Sequence, residues 1–69
     1  MKHIGKIINY NGSNGEVIDK TGKKYILSKN NCIYPNPQNG DLVVFKEEIF
    51  ETVEVKEILA TFVSKIEFK

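Results

Sequence analysis

The sequence predicts an all-β fold, a five-stranded antiparallel Greek-key barrel forming one domain over residues 1–69. Three observations carry that prediction. Short runs rich in β-branched and aromatic residues recur along the chain. Dense turn clusters separate them, among them Asn11-Gly12-Ser13-Asn14-Gly15 and Asn39-Gly40-Asp41. One long polar connection interrupts the series between the third and fourth runs, as a Greek-key crossing requires.

The first strand is read over Ile4 to Tyr10, and the second over Glu16 to Asp19. Lys20-Thr21-Gly22-Lys23 makes a tight connection to the third, Lys24 to Ser28. The segment 29–40 holds four Asn, Pro35, Pro37 and Gly40. Proline lacks the amide a ladder needs, so this segment reads as a loop with room for one helical turn. Leu42-Val43-Val44-Phe45 is the fourth strand and Ala60 to Ile66 the fifth.

Segment 48–59 reads as strand, loop and strand, with Val53-Glu54-Val55-Lys56 alternating at period two. Its charge and length also admit a helix from Glu47 to Leu59, which Thr52, Val53 and Val55 oppose as weak helix formers. Alternation assigns Ile7, Val17, Tyr25, Leu27, Val43, Phe45, Val63 and Ile66 to the interior.

Composition limits the chemistry. Cys32 is the sole cysteine and His3 the sole histidine, so an intramolecular disulfide and a cysteine metal site are excluded. No cofactor is expected, and no nucleophile–base pair or phosphate-cradling motif suggests catalysis. A free thiol and the absence of a long apolar run predict a soluble cytoplasmic protein with no membrane contact. Residues 1–40 carry six Lys against Glu16 and Asp19, whereas residues 41–69 carry four Lys against seven acids. Every basic residue is lysine, and arginine is the usual instrument of bidentate base readout.

The order of motifs resembles the cold-shock domain family. Gly5-Lys6-Ile7-Ile8-Asn9-Tyr10-Asn11 is similar to that family's Gly-Lys-Val-Lys-Trp-Phe-Asn strand. Ser13-Asn14-Gly15-Glu16-Val17 stands where the first ribonucleoprotein motif falls, and Tyr25-Ile26-Leu27-Ser28 where the second falls. Gly40-Asp41-Leu42-Val43-Val44-Phe45 and Ala60-Thr61-Phe62-Val63 resemble the closing strands. The resemblance implies an oligonucleotide-binding (OB) barrel that takes single-stranded RNA or DNA on the outer face of its first three strands.

Residue by residue, the stacking groups differ. The family's first-strand Trp falls on Asn9, and its two Phe of the first motif fall on Asn14 and Glu16. The Phe and His of the second motif fall on Ile26 and Ser28, while Tyr10 keeps an aromatic. Base stacking contributes about 1–3 kcal/mol per base, so these replacements remove most of that source of affinity.

Two readings follow. Weak, sequence-independent nucleic-acid binding would use Lys6, Asn9, Tyr10, Asn14 and Lys24. A protein-interaction module, regulator or inhibitor would use Ile8, Ile26 and Tyr34, with capture of a small nucleotide as a variant of the binding theme. Either is expected as a monomer or weak homodimer. Lys20 and Lys23 extend the first candidate set as a phosphate contact, and Asn30, Asn31 and Tyr34 make the 29–40 loop a second recognition element.

Overall fold

The structure, a computed structural model, describes residues 2–66. Strands β1 (Lys2–Ile8), β2 (Asn14–Asp19), β3 (Lys24–Ser28), β4 (Leu42–Glu51) and β5 (Lys56–Lys65) close into a barrel in the order β1-β2-β3-β5-β4. A single 3₁₀ turn, Lys29–Asn31, follows β3, with the Ser28 hydroxyl accepting the Asn30 amide at 3.3 Å.

The barrel is not wholly antiparallel as expected. β3 and β5 run parallel, registered at Ile26↔Leu59, while the other neighbours are antiparallel. Parity requires this. A ring of five strands cannot alternate direction all the way round, so one pair must run parallel. The 29–41 connection crosses to bring β4 beside β1, which leaves β5 pointing the same way as β3.

The interior is Ile7, Val17, Tyr25, Leu27, Val43, Phe45, Ala60 and Val63. Burial of each large aliphatic or aromatic side chain contributes about 1.5–3 kcal/mol. Tyr25 and Phe45 meet edge to face at 4.8 Å, and His3 stacks on Phe45 at 5.7 Å. Ile66, expected inside, is only half-buried, and Ala60 and Thr61 are buried instead.

Ile66 lies past the end of β5, and a bulge accounts for Ala60. Between Val44↔Ser64 and Lys46↔Thr61, β5 contains one more residue than β4, which breaks the alternation. Phe62 sits in that bulge at φ 50°, a left-handed conformation that is rare for a bulky side chain.

Segment 48–59 is a hairpin and not a helix. β4 runs on to Glu51 and β5 begins at Lys56, so the alternating Val53-Glu54-Val55 stretch forms the turn and not a strand. The Thr52 hydroxyl accepts the amides of Glu54 and Val55 at 3.3 and 3.0 Å, satisfying locally the donors a ladder would have used. The Thr52 amide donates to the Val55 carbonyl at 2.7 Å. This arm lengthens the molecule to 45 Å, against 24 and 19 Å in the other directions.

Candidate binding face

The register of the first three strands sets out the face that the sequence singled out. Ile8, Glu16 and Ile26 stand opposite one another across β1, β2 and β3, and the row continues through Leu59 to Glu48. Lys6, Ile18 and Lys24 form the row beside it, and Asn14 faces Ser28 on the far side. Residues opposite in such rows hold their Cβ atoms about 4.5–5.5 Å apart, close enough to act as one surface. Ile8, Glu16 and Leu59 are half-buried, while Ile26 and Glu48 are exposed.

The structure therefore brings together Lys6 with Lys24, and Ile8 with Ile26. Glu16 lies between the two isoleucines. Asn9 follows β1 at φ 52° and donates its amide to the Glu16 carboxylate at 3.1 Å, holding that charge in the middle of the row. Asn14 is exposed at the start of β2.

Tyr10 is placed differently from a stacking platform. It is half-buried, packs against the core and lies over Gly15, so close that a methyl group there would meet its backbone. Asn39 clamps it from the long loop. The Tyr10 amide donates to Asn39 Oδ1 at 2.7 Å, and Asn39 Nδ2 donates to the Tyr10 carbonyl at 3.1 Å. Beside it, Gly12, Lys29, Asn36, Pro37 and Gln38 complete a shallow polar cleft of about 250 Å³.

Tyr34 is separate from the Ile8 and Ile26 surface in its chemistry. Its ring packs against the core and its hydroxyl donates to Asp41 Oδ2 at 2.9 Å. Burial, and then the bond to that carboxylate, hold the phenol well above its ordinary range. The Gln38 amide donates to the same oxygen at 3.0 Å, so Tyr34 and Asp41 fasten the loop. Cys32 lies half-buried beneath the loop, where desolvation pushes its thiol up and away from the reactive thiolate.

The lysines do not form one patch. Lys23 leaves the group to pair with Glu47 at 2.7 Å, a bond that raises its pKa and lowers that of Glu47. Asp19 organises the same end of the barrel. It accepts the Thr21 hydroxyl at 2.6 Å, the Thr21 and Lys23 amides, and the Tyr25 hydroxyl at 3.1 Å. Led by the Thr21 bond, these contacts lower its carboxyl to about 2. Among the described residues no cluster of three His, Cys, Asp or Glu side chains could hold a metal ion. No helix there is long and apolar enough to cross a membrane.

A second surface, absent from the sequence-derived sites, lies on the outside of β1, β4 and β5. Ile4, Ile33 and Phe62 are 62, 64 and 61% exposed. Ile33, Val44 and Phe62 line a cleft of about 260 Å³ with Lys2, Lys46 and Ser64. The Lys46 ammonium lies 5.2 Å from the centre of the Phe62 ring. Outward parity could have pointed to Ile4, but Ile33 in a loop and Phe62 in a bulge carry no periodic signal.

No family model and no curated protein matches this chain.

Proposed function

We propose that this protein is a small binding module of the OB type, cold-shock-like in its motif order, whose outer face engages a protein. The supporting observation is the row Ile8, Glu16, Ile26, Leu59 and Glu48, which sets three aliphatic side chains among two carboxylates across all five strands. Carboxylates repel phosphates, and aliphatic side chains offer bases no aromatic stacking surface. A segment presenting apolar side chains flanked by lysine or arginine complements the row in both shape and charge. The Asn9 bond to Glu16 fixes the central carboxylate in advance, which reduces the entropy lost on binding.

Nucleic-acid binding is the second reading, favoured by the Lys6, Ile18 and Lys24 row. Neither lysine has an ion-pair partner among the described residues. Titration with single-stranded RNA and DNA at low salt separates the two. The protein reading expects affinity weaker than about 100 µM, the weak limit of nonspecific electrostatic binding. It also expects Glu16→Lys to tighten that binding. Micromolar binding abolished by a Lys6→Glu, Lys24→Glu double variant would instead assign the face to nucleic acid.

A further inference from the structure

The β4–β5 arm and the Phe62 cleft are complementary, and among the described residues of one copy nothing covers either. Beyond the barrel, segment 49–57 carries Glu51, Glu54 and Glu57 against Lys56 alone. It also exposes large apolar groups: Ile49 at 59%, Phe50 at 55% and Val53 completely, at the tip. An isolated two-stranded ribbon is at best marginally stable in water, so such an arm gains from cover.

The cleft has the opposite character. Lys2 and Lys46 flank its apolar wall of Ile33, Val44 and Phe62, and among the described residues no carboxylate lines it. The neighbouring hollow adds Lys6, Lys20, Ile4 and Leu42; its one acid, Asp19, is already engaged by Thr21 and Tyr25. We propose that the acidic arm of one copy docks in the basic, Phe62-walled cleft of a second copy.

Geometry excludes the same copy as donor. Val44 and Lys46 of β4, with Phe62 and Ser64 of β5, form the cleft, and the arm is the continuation of those two strands. It therefore leads away from its own cleft. Arm-to-arm pairing is opposed by like charge, whereas arm-to-cleft pairing matches glutamate with lysine and Phe50 or Val53 with Phe62. Two copies that exchange arms close as a pair, and a one-way contact extends as a chain. Either mass distribution carries the proposal. This surface is distinct from the Ile8–Glu16–Ile26 row, so the proposal stands or falls apart from the reading above.

The test is the mass of the full chain in solution, by light scattering or sedimentation at low salt. Self-association is expected, weakening as salt screens the pairs. An arm variant, Glu51→Lys with Glu54→Lys, and a cleft variant, Lys2→Glu with Lys46→Glu, should each associate at least about tenfold more weakly. Mixed together they should associate again, because every arm then has a cleft of opposite charge. Val53→Lys, at a tip whose side chain is wholly exposed, should weaken association with unfolding unchanged. Ile26→Glu should leave association unaltered. A wild-type chain that stays monomeric up to about 1 mM overturns the proposal. So does a mixture of folded variants that remains monomeric, or an arm variant that associates as the wild type does.

Discussion

Tyr10 lies directly on Gly15. A methyl group at Gly15 would stand 2.7 Å from the Tyr10 Cα, 3.0 Å from its Cβ and 3.1 Å from Cδ1. Backbone cannot yield as a flexible side chain can, so Gly15→Ala must push the β1–β2 connection off the barrel. A loss of about 1–3 kcal/mol is expected, as for other overpacked sites. Denaturant unfolding measures it, and an unchanged midpoint would mean that Tyr10 is not held there.

The clamp on the same tyrosine predicts a second effect. Asn39→Ala removes both bonds to the Tyr10 backbone. With net contributions of about 0.5–1.5 kcal/mol per bond, stability should fall by about 1–3 kcal/mol. Amide exchange at Tyr10 should accelerate with it. Exchange as slow as in the wild type would show that the loop is held by Tyr34 and Asp41 alone.

Asp19 makes the fold sensitive to acid. Its carboxyl is lowered from 3.8 to about 2, chiefly by the Thr21 hydroxyl. A depressed folded-state value stabilises the fold above the ordinary carboxylate range, and that contribution drains away as pH falls from about 4 to about 2. Glu47, lowered by Lys23, acts in the same direction. Asp19→Asn should be less stable than the wild type near neutrality and lose less over the acid interval. Thermal unfolding followed across that interval checks it; parallel curves for the two proteins would refute the assignment.

Phe62 is strained and mostly exposed, which makes it a poor investment for the isolated fold. Left-handed backbone costs a non-glycine residue about 1–2 kcal/mol, and glycine adopts it freely at an entropic cost of about 0.5–1 kcal/mol. Phe62→Gly should therefore leave stability unchanged or raise it by up to about 1 kcal/mol. Self-association should decline. A clear loss of monomer stability would show instead that the ring's contact with Lys46 outweighs the strain.

Much of the barrel was legible in the sequence because alternation and burial coincide. Ile7, Val17, Tyr25, Leu27, Val43, Phe45 and Val63 follow period two and are inside. Ile66 fails because it stands three residues after Val63, out of phase with it, and past the end of β5 at Lys65. The bulge near Phe62, which leaves no mark on hydropathy, is what turns Ala60 inward. Val53 to Val55 fails for a different reason: the Thr52 hydroxyl offers nearby amides a local acceptor, and this outweighs an alternating pattern.

The candidate face was legible residue by residue but not as rows. That Ile8, Glu16 and Ile26 share one line depends on register between strands, which only long-range pairing sets. Tyr10 was read as an outward aromatic. The left-handed turn at Asn9 takes it out of strand parity and lays it over Gly15 instead.

The parallel registration Ile26↔Leu59, extended beyond β3 by the bridge Cys32↔Val63, has a mechanical consequence. Five registered pairs join β4 to β1, whereas this one pair joins β3 to β5. The barrel is thus a clasp with one well-stitched side and one lightly fastened side. Anything gripping the row from Ile8 to Leu59 reaches across the light fastening and draws it shut. Ligand capture and resistance to unzipping would then rise together, with Leu59 and Ile26 as the first amides to register it.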